Sequence, residues 1–199
     1  RNMAEIIRLM ELELQKREPP IVTQLAEARR DPFEILISTL LSLRTKDEVT
    51  AAATQRLFAL AATPAEMLRL PEGRIQEAIY PVGFYRNKAK TIRRVCRELI
   101  ERFGSAVPEG IEELLTIKGV GRKTANVVLA NAFNLPALPV DTHVFRVSHR
   151  LGLSDAKTAD QTEAQLVQVI PEEQWSDAHH WLIWHGRKIC TARKPDCLQ

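Results

Sequence analysis

Two glycines one residue apart, Gly119 and Gly121, separate two stretches that both read as helix: residues 111–116 before them and residues 124–133 after. Glycine reaches φ > 0 and lets another backbone come close. The unit therefore reads helix, tight hairpin, helix. No strand precedes it, which argues against a dinucleotide fold, where the Gly-rich turn lies between strand and helix. A Gly-x-Gly turn that opens a helix turns main-chain N–H groups outward, where they can hold a phosphate. Taken alone, such a turn is as readily a simple reversal.

The rest of the chain is patterned like that hairpin. Alternating apolar residues are scarce and helix-start signals recur. Asp31, Pro32 and Glu34 read as N-cap, first-turn proline and capping-box acid. Thr45 with Glu48, Thr63 with Glu66 and Thr158 with Gln161 have capping-box spacing. The run Phe33, Ile35, Leu36, Ile37, Leu40, Leu41, Leu43 is apolar on most sides and predicts a central buried helix. A long helix is expected from about Tyr85, with Ile92, Val95, Leu99 and Phe103 inward and Arg86, Lys90, Arg93, Arg94 and Arg97 mostly on another face. Pro136 and Pro139 mark the expected lobe boundary, and a further helix runs from about Asp141 to Gly152. The expected class is all-α.

The 199 residues suffice for one large domain or two small lobes. With 45% hydrophobic and 27% charged residues and no long uncharged apolar run, no transmembrane helix is expected. A net charge of +3 favours an anionic partner only weakly. Three cysteines do not make a disulfide framework, and Cys190 and Cys197, near the C-terminal end, point instead to metal chemistry. The loop they bracket presents Arg193 and Lys194. Two thiolates alone complete neither a zinc site nor an iron–sulfur cluster. Cys96 reads as a buried core thiol, and His143, His149, His179, His180 and His185 lack zinc spacing.

Two residues carry candidate chemistry. Lys123 follows the glycine turn. It is either a surface or phosphate-contacting lysine or a nucleophilic amine. The second role needs a depressed pKa, and the adjacent Arg122 and the positive end of a helix both act in that direction. Asp141 opens the later helix. It is a good N-cap, or a carboxylate that stabilises a cationic transition state or acts as a general base.

The stretches 119–129, 140–147 and 179–187, followed by Cys190, resemble the endonuclease III family of helix-hairpin-helix DNA glycosylases, in order and at consistent spacing from about Asp31 to Cys197. The resemblance implies a two-lobed all-α fold: a six-helix barrel at 25–135, and a second helical lobe of 1–24 with 136–199 ending in a cluster loop. It implies duplex DNA with a damaged base or abasic site as partner, bound between the lobes. It also implies a monomer, no membrane, and a cytoplasmic, nucleoid-associated setting if the source is bacterial. Lys123 matches the family's Schiff-base nucleophile and Asp141 its catalytic aspartate. Gly119 and Gly121, with Lys118 and Arg122 beside them, match the phosphate-holding hairpin. The expected activity is removal of oxidised pyrimidines with lyase cleavage of the strand. The alternatives are a monofunctional adenine or mismatch-type glycosylase and a non-catalytic DNA-binding module.

Two positions match family residues that fill the stack once a base is flipped out. They are Arg44, where the family has glutamine, and Phe84, a bulky apolar wedge that could equally be a core aromatic. Arginine donates but does not accept, so guanine O6 or N7 would suit it in the opposite base. Lys118 stands where the family's hairpin commonly has proline. The resemblance further implies a 4Fe-4S cluster on four cysteines. Cys190 and Cys197 match the first two, and the others would fall beyond Gln199, so a longer form carrying the cluster is expected.

Overall fold

The computed structural model describes residues 5, 8, 9, 12 and 31–196. Among these there are ten α-helices and no strand. The chain divides into two compact units, Pro20–Leu135 and Arg1–Pro19 with Pro136–Gln199.

The first unit is built around α1 (Pro32–Ser42). Asp31 caps it, its carboxylate accepting from Phe33 N at 2.6 Å, and Pro32 fits the first turn, where its missing N–H is no loss. Of the nine consecutive positions 33–41 all but Glu34 are buried, as the all-round apolar pattern requires. Each fully buried leucine or isoleucine here contributes about 1.5–3 kcal/mol. Around α1 lie α2 (Asp47–Phe58), α3 (Pro64–Arg69), α4 (Glu72–Ile79), α5 (Tyr85–Phe103), α6 (Ile111–Thr116) and α7 (Arg122–Phe133). Helix α1 packs on α2, α5 and α7. The inward stripe of α5 is Ile92, Val95, Cys96 and Leu99, with Phe103 only partly covered. Burial pushes the Cys96 thiol up to about 12, which makes it inert packing.

The capping signals do not all act as caps. Thr63 and Glu66 form the full reciprocal box at α3. Thr158 caps through its hydroxyl, which accepts from Gln161 N at 3.3 Å. Thr45, by contrast, is not a cap: α2 begins after Lys46 with no side-chain cap, because the Thr45 hydroxyl is taken by a long-range contact to Gly83. Among the arginines of α5, Arg93 is also structural. Its guanidinium donates to the Leu68 and Leu70 carbonyls at the end of α3. Arg86, Lys90, Arg94 and Arg97 are exposed.

The second unit contains α8 (Thr142–Leu151), α9 (Ala159–Val169), a 3-10 turn at Glu172–Gln174 and α10 (Trp175–Lys188). Its core joins Val144 and Val147 of α8 to Leu166 of α9 and Trp181, Leu182 and Ile183 of α10. Helix α8 stops at Gly152, whose φ of 73° suits a residue without Cβ. Close packing of α8 on α10 uses Gly186, where an added Cβ would stand 3.0–3.1 Å from Val147, Arg146 and His143. Among the described residues no helix is long and apolar enough to cross a membrane.

Candidate active site

In the first unit the hairpin between α6 and α7 is pinned by Ile117 and Val120, which are buried, while Lys118, Gly119 and Gly121 are exposed. The Lys118 N–H donates to Glu98 Oε1 of α5 at 3.2 Å. Gly119 has φ +109°, and a Cβ there would lie 2.5 Å from Thr91 Cγ2. Gly121 is the N-cap of α7, with φ −92° and ψ 170°, a conformation any residue adopts. Nothing lies within 4 Å of a Cβ added to it, so its bareness leaves room for an approaching backbone. The two glycines thus serve different ends. Gly119→Ala is expected to lower folding stability by about 1–3 kcal/mol, measured as a shifted urea midpoint. Gly121→Ala is expected to leave that midpoint in place and weaken duplex binding in fluorescence anisotropy. Undiminished affinity in Gly121→Ala would remove Gly121 from the expected phosphate contacts.

Arg122 and Lys123 are half-buried in the first turn of α7, where the positive end of the helix dipole lies. The following residues Thr124–Leu129 are buried, so α7 is anchored immediately beyond Lys123. In the second unit, Asp141 is the N-cap of α8. Its Oδ1 accepts from His143 N and Val144 N, both at 2.8 Å. Among the described residues Oδ2 accepts no hydrogen bond, so only Oδ1 serves the cap. Burial holds the neighbouring His143 below the ordinary imidazole value. Asp141 opposes that shift, and Arg146 and Arg187 reinforce it.

Arg44 and Phe84 come together in the first unit. Arg44, just beyond α1, has φ 54°, and Phe84, at the start of α5, has φ 58°. Left-handed backbone at non-glycine residues costs roughly 1–2 kcal/mol each and persists only where the surroundings enforce it. Both side chains are exposed, Phe84 at 60%, so Phe84 is not a core aromatic. The Arg44 guanidinium lies 5.6 Å from the Phe84 ring centroid, a cation–π distance.

The residue that braces these two loops, Lys88, was not singled out by the sequence pattern. Its ammonium donates to the carbonyls of Leu41 (2.7 Å) and Leu43 (2.5 Å) and to Thr45 Oγ1 (3.2 Å). Burial brings its pKa down to about 8, so at neutral pH it still carries the three protons those oxygens need. In sequence it is one of many cations between Arg86 and Arg97, and only its partners distinguish it.

The cysteine loop packs on α8. Arg146 donates to the Cys190 carbonyl, and Arg150 donates to Cys190 Sγ at 3.3 Å and to the Thr191 and Ala192 carbonyls. Arg193 and Lys194 are exposed at its tip. Cys197 lies outside the described residues. Among the described residues no group of three metal-ligating side chains occurs. Cys190 and Cys197 do not by themselves make the four-cysteine set of a 4Fe-4S cluster.

A family model described as HhH-GPD superfamily base excision DNA repair protein matches residues 37–172. Endonuclease III of Escherichia coli (strain K12) is 44% identical over 184 residues, covering 92% of this chain and 86% of its own. The chain belongs to the endonuclease III family. A solved non-covalent endonuclease III–DNA complex matches with TM-score 0.89 and 38% identity, covering 98% of this chain and 89% of the other. A trapped endonuclease III–DNA covalent intermediate matches with TM-score 0.81 and 42% identity, covering 85% of this chain and 80% of the other. The all-helical fold expected from the sequence is that of these endonuclease III structures.

Proposed function

We propose that the chain is a base-excision DNA glycosylase that removes oxidised pyrimidines, such as thymine glycol, from duplex DNA and cuts the abasic strand by β-elimination. The observation that carries this reading is Lys123 in the first turn behind the glycine hairpin of a chain 44% identical to endonuclease III. A covalent DNA intermediate, described for a 42%-identical relative, is what an amine nucleophile forms.

The damaged nucleotide leaves the stack, because C1′ is otherwise unreachable. The neutral Lys123 amine attacks C1′, and the C1′–N bond to the base breaks with its electron pair, the base leaving with a proton. Asp141 Oδ2 stabilises the positive charge that develops on the sugar. Ring opening gives an imine between Lys123 Nζ and C1′. The imine acidifies C2′–H, and loss of that proton expels the 3′ phosphate. Hydrolysis of the imine returns the amine. A water nucleophile would stop at the abasic site, so a lysine here favours the bifunctional over the monofunctional reading.

The lobe at 25–135 contributes the hairpin, with Lys118, Gly119, Gly121 and Arg122 on phosphate, and the stack-filling Arg44 and Phe84. The other lobe contributes Asp141 and, at the loop tip, Arg193 and Lys194 as further phosphate contacts. Cys190 and Cys197 are assigned as cluster ligands, and no step of the reaction passes through them. The enzyme acts as a monomer, in the nucleoid if the cell is bacterial.

Borohydride reduction on an abasic duplex is the test. A covalent adduct is expected with the unmodified protein, and its absence would reject the lyase. A panel of lesions in each opposite-base context then fixes the substrate. Arg44 predicts faster release opposite guanine than opposite adenine.

A further inference from the structure

The two exposed, left-handed residues Arg44 and Phe84 are held by one connected set of bonds. Gly83 sits so close to the Arg44 carbonyl that a Cβ on it would be 2.5 Å from that oxygen. The Gly83 N–H donates to Thr45 Oγ1 at 3.1 Å. The same hydroxyl accepts from Lys88 Nζ and donates to the Leu43 carbonyl at 3.3 Å. One hydroxyl thus uses its donor and both acceptor sites. Lys88 spends its other two protons on Leu41 and Leu43, the carbonyls that α1 leaves open at its end, where a cation is also favoured by the helix dipole. The 43–45 loop, with the end of α1 before it, and the 82–84 loop, some forty residues apart in sequence, are in this way tied on both sides of Arg44.

We propose that Lys88 and Thr45 are positioning residues for DNA-stack insertion, locking the Arg44 and Phe84 loops into one pre-formed pair of fingers. The proposal rests on the reading of Arg44 and Phe84 as stack-filling residues. Its physical content is pre-organisation. Two loops that must hold unfavourable backbone conformations are ordered when the protein folds rather than when it meets DNA, so binding bears none of that entropy. The ammonium reaches three oxygens at once, which no uncharged side chain of its length can do. Neither residue needs to touch DNA.

The experiment uses the whole chain and a duplex carrying a tetrahydrofuran abasic analogue with 2-aminopurine beside the vacated position. Fluorescence reports how the stack is rearranged, and titration gives affinity. Lys88→Met keeps the aliphatic stem without the ammonium. Thr45→Val keeps shape without the hydroxyl, and Thr45→Ser restores the hydroxyl. Lys88→Met and Thr45→Val are expected to lose most of the fluorescence change and to bind the abasic duplex about tenfold less tightly, the scale of ordering two side chains afresh. Affinity for undamaged duplex is expected to move far less, and Thr45→Ser is expected to recover the signal. The ratio of cleavage on duplex to cleavage on single-stranded abasic DNA, which has no stack to fill, is expected to fall by a similar factor. Combining Lys88→Met with Thr45→Val is expected to add little beyond either alone, since each breaks the same lock.

Arg44→Ala and Phe84→Ala separate the two ideas. If those variants lose the signal while Thr45→Val and Lys88→Met keep it, the lock is overturned and the fingers stand. If Arg44→Ala and Phe84→Ala behave like the unmodified protein, the stack-filling reading itself fails. If Lys88→Met does not fold, the Thr45→Val and Thr45→Ser pair decides the outcome.

Discussion

Lys123→Ala is expected to abolish borohydride trapping on abasic duplex and to slow strand cleavage by at least about 10³-fold, because the amine proposed to bond to the sugar is gone. Stability should hardly change. Alanine is the better helix former, and Lys123 is half-buried in a helix already anchored by the buried residues 124–129. Binding to the tetrahydrofuran analogue should persist, since the phosphate contacts proposed for the hairpin precede the lysine. Lys123→Arg separates the two roles that the sequence leaves open. A guanidinium keeps the positive charge, so a phosphate-contact role would survive it. It forms no Schiff base, so the nucleophile would not. Trapping by Lys123→Arg at the unmodified level would overturn the assignment. Single-turnover rates with saturating enzyme, beside a gel for the adduct, read both quantities at once.

Asp141→Asn is expected to slow base release by about 10²–10³-fold, the scale of removing one electrostatic group from a transition state, while the melting temperature stays close to that of the unmodified protein. Asparagine is as good an N-cap as aspartate. The bonds from His143 N and Val144 N to Oδ1 should therefore survive. Asp141→Ala removes the cap as well and should lose about 1 kcal/mol of stability in addition. The two variants together divide the residue into its halves. Equal activity in Asp141→Asn and the unmodified protein would make Asp141 a cap and nothing more. Equal losses of stability in Asn and Ala would mean that the cap is not what holds the start of α8.

Most helix positions were readable because their causes are local. The Thr63–Glu66 box needs only residues three apart to find each other, and it forms as its spacing dictates. Asp31 and Pro32 start α1 for similarly local reasons, and the apolar run behind them is buried as the pattern requires. Thr45 shows where this stops. It has the same capping spacing to Glu48, yet its hydroxyl is engaged by Gly83 and Lys88 from 38 and 43 residues away. A tertiary partner outcompetes a first-turn N–H that water can satisfy instead. The arginines are a second limit. Arg93 serves the end of α3 and Arg150 the cysteine loop, while Arg94 is exposed, and nothing in composition tells these apart.

The sequence by itself determined an all-helical chain, a glycine hairpin with a lysine behind it, an aspartate at a helix start and a pair of cysteines around a basic loop. Each follows from residues near one another along the chain, where propensity and capping act. Only the tertiary structure decided that Arg44 and Phe84 stand side by side in left-handed conformations, and that Lys88, one cation among many, braces them. That arrangement exists because α1 packs against α5, and packing between distant segments is set by the whole core rather than by any window of sequence.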